Sequence, residues 1–489
     1  MENGTVDDQL FEVAVGPRKT ATTPSCVTAK TFRHYDPSQS FLLPPSLDDW
    51  LPEDHEARFI SEAVDDLLDL SVIYGSYATA DGAPPYDPRM MLKLLLYSYS
   101  IGMTSSREIE RRCVTDVAFR FLSANAAPDY RSMARFRRRH LDALDDLFTQ
   151  VLVLCATAGL LKLGRVALDG TKLRASASRH KAMSYDHMNK KIEQLDAEVR
   201  EILAEAEAID REEDEAFGAD RRGDEVPAEL ARRETRIAKM REAMKAIQAE
   251  AKERAGAKQA KNPGRTGAND EEIAEAAGRA EEQAKPAGKA QRNFTDPESR
   301  IMKTSDGSFH YAYNAQAVVD EKSQVVLAGV VTQQATDVNQ LIPMIEAMGV
   351  ELVRAGVEDR PKVLLADAGY CSKDNLEALA EDNLDALVAT GRLSHDERVT
   401  AAPRGRIPKN ATAKQRMARR LRTKAGRADY ARRKAIGEPA FGQMKVRKYA
   451  GHLHLRGLDG ARGEWTLHLV CHNLRKLANA GGVAAIATV

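Results

Sequence analysis

Apolar runs and amphipathic stretches alternate along this chain, and their spacing predicts a mixed α/β body preceded by helices and interrupted by a long charged insertion. From residue 48 to about residue 140 the pattern is helical. Pro88 opens a helix whose stripe carries Met91, Leu92, Leu95 and Leu96. Ser105 and Glu108 have the spacing of a capping box at the head of the next helix. A short helix over 132–140 shows a basic face with Arg137, Arg138 and Arg139. Residues 141–161 read as a buried helix, and Gly164 starts the first strand. Strand patterns return at 310–319, 325–331, 363–366 and 386–389, with helices predicted over 337–348 and 375–384. The order is strand, strand, strand, helix, strand, helix, strand, helix. It suits a mixed sheet flanked by helices, with the first and fourth strands side by side.

The insertion occupies residues 186–291. Ile192, Leu195, Val199 and Ile202 recur at spacings of three, four and three. Ile237, Met240, Met244 and Ile247 repeat that spacing, and the turn residues Gly218, Gly223 and Pro227 lie between the two sets. The pattern predicts two helices folded back as an antiparallel coiled-coil arm. Residues 252–291, rich in Ala, Lys, Gly and Glu, read as mobile or disordered. The arm could clasp DNA, grip a second subunit or act as a passive spacer; the sequence does not choose. The resulting division is an irregular segment over 1–40, a helical domain over 41–160, an α/β domain from 161–185 and 292–480, the inserted arm, and a tail over 481–489.

With 489 residues the chain is long enough for two to four domains. Its formal net charge is zero, but the distribution is uneven. Residues 401–450 hold sixteen Lys/Arg against two acids, whereas residues 41–85 hold ten acids and one Arg. Such asymmetry points to a polyanion meeting one face, or to two oppositely charged surfaces that pair with each other. The basic helix at 132–140 likewise fits either a helix-turn-helix-like DNA-reading module or a docking domain with solvated arginines. Five scattered cysteines without a CxxC, and an acidic, polar N-terminus, suit a reducing cytoplasmic setting. No phosphate-binding GxxxxGK[ST] loop and no Gly-rich dinucleotide signature is present, which leaves an ATPase or dehydrogenase reading without support.

Three acids stand in distinctive settings. Asp169 ends the apolar run at 166–168, Asp367 ends the run at 363–366, and Glu438 lies inside the most basic part of the chain. Two strand-end aspartates and a helical glutamate are what a two-metal phosphodiester enzyme needs, because hard Mg²⁺ prefers carboxylate oxygens. Lys445 follows Glu438 by seven residues, two helical turns along one face. Pro439 either opens that helix or kinks a longer one. Asp296 and Glu464 compete for the third place. His468 and His472, four apart, have zinc-ligand spacing but lack a partner glutamate, so a core or DNA-facing pair is favoured.

These motifs resemble bacterial insertion-sequence transposases of the DDE class. The resemblance rests on Leu168-Asp169-Gly170-Thr171-Lys172, Thr295-Asp296-Pro297-Glu298-Ser299-Arg300, Ala366-Asp367-Ala368-Gly369-Tyr370, Glu438-Pro439-Ala440-Phe441-Gly442-Gln443-Met444-Lys445, and Arg462-Gly463-Glu464-Trp465 with His472-Asn473-Leu474. It runs from about Phe41, in Phe41-Leu42-Leu43-Pro44-Pro45, to Leu477. It implies a ribonuclease H-like core, Mg²⁺ or Mn²⁺ as a two-metal cofactor, and Asp169, Asp367 and Glu438 as catalytic, metal-binding acids. It further implies double-stranded DNA as partner, both the terminal inverted repeats and the target, and a homodimer when assembled on DNA. Related enzymes carry Tyr, Arg, Glu and Lys around the glutamate. Here Tyr430 and Arg433 precede Glu438 with the arginine one residue farther than usual, so Arg433 or Lys434 fills that role. Lys172, Arg432, Arg433, Lys434, Lys445, Arg137, Arg138 and Arg139 are the expected DNA-binding residues. The expected chemistry is hydrolysis at the element's end, then attack of the freed 3′-hydroxyl on target DNA. A second reading is a transposase-derived DNA-binding protein without catalysis.

Overall fold

The structure is a computed structural model that describes residues 46–77, 84–178, 181–217, 228–261, 269–304, 306–382, 384–391, 402, 405–445, 451–482 and 484–487. The expected irregular segment over 1–40, the Phe41–Pro45 motif and the turn residues Gly218, Gly223 and Pro227 lie outside the described residues.

Among the described residues seven helices precede the first strand. They are α1 (Glu56–Glu62), running on through a π turn at Ala63–Leu67, then α2 (Ser71–Gly75), α3 (Pro88–Ser100), α4 (Ser106–Thr115), α5 (Val117–Leu122), α6 (Tyr130–Arg139) and α7 (Leu141–Thr157). Aspartates set several starts: Asp87, Asp116 and Asp129 accept backbone N–H bonds at the heads of α3, α5 and α6. The capping box expected at Ser105 does not form. The Ser105 side chain makes no capping bond, and Glu108 pairs with Arg111 at 2.6 Å and Arg112 at 3.1 Å. At an exposed helix head a charged partner one turn away competes well with a backbone N–H.

The α/β part is built on a six-stranded mixed sheet. Its strands are β1 (Arg165–Arg174), β4 (Arg300–Lys303), β5 (Phe309–Asp320), β6 (Val326–Thr332), β7 (Val363–Ala366) and β8 (Ala386–Val388). Strand β1 runs antiparallel to β5 on one edge and parallel to β7 on the other. Strands β4 and β6 share the far edge of β5, and β8 extends the parallel side beyond β7. The first and fourth strands of the predicted order, β1 and β7, are therefore neighbours. Helices α11 (Leu341–Arg354), α12 (Lys373–Glu381), α13 (Ala413–Leu421), α14 (Lys424–Lys445) and α15 (Gly457–Asn479) complete this part, and the short α16 (Ala484–Ala487) follows.

Helix α15 joins the helical domain to the sheet. It packs on β6 as well as on α7 and α3, and it is buried along almost its whole length. A helix covered on all sides must pair the polar groups it buries, and α15 does so through Glu464, His472 and Asn473. Gly329 of β6 makes room: a Cβ there would overlap Leu469 of α15. The Asn473 carboxamide pairs with both the N–H and the C=O of Val326, at 2.8 and 2.9 Å, and so closes a stretch of β6 edge. Pro439 lies inside α14, so the longer, interrupted helix is the correct alternative. The carbonyl of Ala435, which a residue at 439 with an N–H would have engaged, accepts from Gln324 Nε2 at 3.3 Å instead.

Within the insertion, β2 (Ala182–Ser184) pairs antiparallel with β3 (Gln291–Asn293), so the chain leaves and returns through one small sheet. Between them α8 (Tyr185–Phe217) and α9 (Ala228–Lys261) pack in opposite directions, as the pairs Glu198–Arg233, Asp196–Arg241 and Tyr185–Gln248 require. Met188, Leu195, Ile237, Met240 and Ile247 form a small core of their own. The expectation of disorder over 252–291 does not hold for the described residues 252–261 and 269–291; residues 262–268 lie outside them. Helix α9 runs to Lys261, and α10 (Asp270–Gln283) starts from a capping box of Asn269 and Glu272 and packs on α9. The Glu and Lys that lowered the hydropathy, and the Ala between them, are strong helix formers. Among the described residues, no helix is long and apolar enough to cross a membrane. The four described cysteines are free thiols.

Zinc ligation by His468 and His472 finds no support. His468 lies against the Tyr99 ring, and His472 Nε2 donates to the Gln324 carbonyl at 2.7 Å. Burial pushes both imidazoles down to about 4, with Glu464 opposing the shift at His468. They are neutral in the folded protein at pH 7, whereas unfolded histidines take up protons near 6.5. Between those values the unfolded chain binds more protons, so stability is lost as pH falls from 6.5. The expected slope is roughly 1.4 kcal/mol per pH unit for each histidine. Urea unfolding between pH 6.5 and 5.0, above most carboxylate titration, should show this loss; a flat midpoint would contradict the buried neutral state.

Candidate active site

The ladder between β1 and β7 ends at the pair Leu168 and Ala366. The next residue on each segment is an aspartate: Asp169 lies in the middle of β1, still opposite Ala317 of β5, and Asp367 directly follows β7, so the two stand together at the edge where β7 ends. That edge is where open α/β sheets leave room for a ligand. Asp367 caps the turn Ala368–Tyr370, accepting from the Gly369 N–H at 2.8 Å. Asp169 Oδ1 accepts from the Gly170 N–H at 2.9 Å.

Helix α14 closes over Asp169. Arg433 Nη1 donates to Asp169 Oδ2 at 3.2 Å, with the two side chains 13% and 23% exposed. One turn later a Cβ on Gly437 would lie 3.6 Å from the same oxygen. Residues four apart share a helix face, so one stripe of α14 rests on Asp169. Of the two candidates for the arginine role, Arg433 faces the aspartate while Lys434 is exposed. The Arg433 Nε is buried without a partner. Tyr430 lies beside Arg433, and burial raises its hydroxyl pKa. Burial also raises the Asp169 pKa; Asp367 and Asp337 add to this, and Arg433 and the Gly170 N–H oppose it. At Arg433 burial works against the charge, and Asp169, Tyr430 and Asp367 outweigh it.

Glu438 follows Gly437 and is exposed, about a quarter-turn from the stripe that meets Asp169. Among the described residues no three His, Cys, Asp or Glu side chains converge as a metal ion requires. The donor chemistry of Asp169 and Asp367 fits a hard divalent cation all the same. Both offer carboxylate oxygens, and each stands in the other's repulsive field, which a cation between them relieves.

The structure adds residues that the sequence reading did not single out. Asp337, just before α11, accepts on Oδ1 from Lys172 Nζ at 2.9 Å, Asn314 Nδ2 at 2.7 Å and Gln316 Nε2 at 2.9 Å. The Tyr370 hydroxyl donates to the Gln316 carboxamide oxygen. Gly170 is needed here, since a Cβ would overlap the Gln316 carboxamide. A signal was present: Asn314 and Gln316 are two amides two residues apart in an otherwise apolar strand, both fully buried.

The other expected residues separate into groups. Arg432 is exposed, as are Arg138 and Arg139 on α6, where they line a surface hollow with Tyr130, Arg131 and Arg135. Arg137 is buried and donates to the Tyr99 hydroxyl at 2.7 Å and the Thr104 carbonyl at 2.9 Å, so it binds the helical domain together. Lys445 ends α14, and its side chain lies outside the described residues. The competing acids are occupied elsewhere. Asp296 is buried and accepts from the Tyr313 hydroxyl at 2.7 Å. Glu464 is buried and accepts from the N–H groups of His454 and Leu455, at 2.8 and 2.9 Å, and from the Tyr99 hydroxyl at 3.2 Å.

Two family models match the chain. One describes a transposase domain (DUF772) and covers residues 45–139; the other describes a transposase DDE domain and covers residues 278–474. No curated protein and no solved structure matches the chain.

The bonding of Glu464 makes it a structural acid. Glu464→Ala leaves two buried N–H groups unpaired and removes the carboxylate that balances Arg137 through Tyr99. The expected loss in denaturant unfolding is about 3 kcal/mol or more. An unchanged midpoint would return Glu464 to the candidates for the third acid.

Proposed function

The chain belongs to the insertion-sequence transposases of the DDE class, and on that premise we propose that it cuts DNA at the ends of its own mobile element and joins the freed ends to target DNA. The observation that carries this reading is the meeting of Asp169, on β1, and Asp367, just after β7, where the β1–β7 ladder ends, 198 positions apart in sequence. The strand order and the position of these acids support a ribonuclease H-like architecture. Asp169 and Asp367 would hold Mg²⁺ or Mn²⁺, with Glu438 completing the set. The ions would supply Lewis-acid stabilisation to the attacking and leaving oxygens of an in-line displacement at phosphorus.

The protein's own groups position the DNA. Arg433 balances the charge of Asp169. Lys172, farther along the same strand, brings a second cation to Asp337. Arg432 and Lys434 extend this positive surface along α14, and the exposed Arg416, Arg422, Lys424 and Arg427 continue it upstream. On the helical domain Arg138 and Arg139, with Arg131 and Arg135, form the DNA-facing set, from which the buried Arg137 is withdrawn. Both ends of an element must be held for joining, so the active assembly is at least a homodimer. The exposed position of Glu438, apart from the two aspartates, is the observation that favours the second reading, a DNA-binding protein without catalysis.

One assay separates the readings: nicking of DNA that carries the element's ends, with and without Mg²⁺. The wild type should cut only with the metal. Asp169→Asn, Asp367→Asn and Glu438→Gln should each lower the rate about a hundred-fold or more. Each should keep its affinity for the DNA end in metal-free buffer. Unimpaired cutting by all three variants would sink the assignment.

A further inference from the structure

We propose that Asp337 is a positioning residue of the DNA-cutting centre, holding the Lys172 ammonium next to the turn that follows Asp367, where it meets the phosphate being cut. This rests on the function proposed above. Lys172 stands on β1 three residues after Asp169, and its side chain is 16% exposed. An ammonium on a four-carbon stem is flexible and strongly hydrated, so fixing it there takes a charged partner. Asp337 is that partner, at 2.9 Å.

The carboxylate is itself rigidly held. Asn314 and Gln316, both fully buried on β5, donate to the same oxygen that receives Lys172. Asn314 Nδ2 also reaches the Gln334 carbonyl at 3.0 Å, which ties the network to the segment leading into α11. Gln316 is fixed from its other end by Tyr370, in the turn that follows Asp367. The second oxygen of Asp337 faces that turn as well. A Cβ on Gly369 would lie 3.4 Å from Asp337 Oδ2 and 3.0 Å from Asp367 Oδ1. Asp337 therefore bonds to β1 through Lys172 and lies beside the turn at Gly369 that follows Asp367.

Charge explains why a carboxylate is placed here at all. Asp169, Asp367 and Asp337 carry three negative charges at one sheet edge, against Lys172 and Arg433. A third carboxylate opposes an incoming phosphate, so its presence calls for a compensating task. Anchoring two neutral amides needs only an acceptor, which an asparagine side chain also provides. Holding a half-enclosed ammonium in one direction needs the charge.

Asp337→Asn separates the two tasks, because its carboxamide oxygen still accepts from Asn314 and Gln316. Cutting of an element-end duplex in Mg²⁺ would be measured at saturating DNA for the wild type, Asp337→Asn, Lys172→Ala and the double variant. Urea unfolding of Asp337→Asn should match the wild type. Each single variant should cut about 10–100-fold more slowly, the range seen when an outer partner of a catalytic group is lost. The double variant should be no slower than the slower single, since both changes remove the same placed ammonium. Wild-type cutting by Asp337→Asn, or a double loss equal to the product of the singles, overturns this inference alone. No cutting by any of the four proteins overturns the proposed function together with it.

Discussion

Strand β1 is the constraint on which the rest of the molecule depends. It pairs antiparallel with β5 along nearly its whole length and parallel with β7 over only its first half. The unequal pairing leaves the second half of β1 exposed to the site on the side where β7 has ended. Asp169 and Lys172 both lie on that second half. A β7 longer by a few residues would close the site with backbone hydrogen bonds and move Asp367 away from Asp169.

The electrostatics follow from this edge. Carboxylates drawn together in a partly buried place repel one another, and the protein offsets the repulsion with one cation on each side of the sheet edge. Arg433 comes from α14 to Asp169, and Lys172 comes from β1 to Asp337. Neither pair is sealed from water. Their strengths are therefore modest, and a phosphate can compete for both cations. A deeply buried pair would be harder to exchange.

Much of this was legible in the sequence, and the exceptions have physical causes. The apolar runs that end in Asp169 and Asp367 mark strands buried on both faces, and such runs are readable without partners. The β1–β7 adjacency followed from element order alone. Asp337 escaped notice because it looks like any acid at a helix start, and its meaning comes from Lys172, 165 positions away. Arg137 was misjudged as one of three consecutive arginines. Only the phase of α6, with Met133 and Phe136 inward, shows that it turns toward Tyr99. Residues 252–261 and 269–291 were misread because low hydropathy marks both disordered chains and polar helices, and the capping box at Asn269 and Glu272 was the local sign of the latter.

The small sheet of β2 and β3 has a consequence for how this protein can vary. It joins the two ends of the insertion within a few residues of the domain they leave. Residues 185–290 are, for the remainder of the chain, a closed loop of fixed mouth. The entropy of closing such a loop grows only with the logarithm of its length, about 0.6 kcal/mol for each doubling. Whole helical turns can thus be gained or lost from α8 and α9 in matched numbers with little effect on the register of β1 against β5. Length in this segment is nearly free to drift, while a single residue inserted between Asp169 and Lys172 would shift the second half of β1 by one position and turn its side chains to the opposite face.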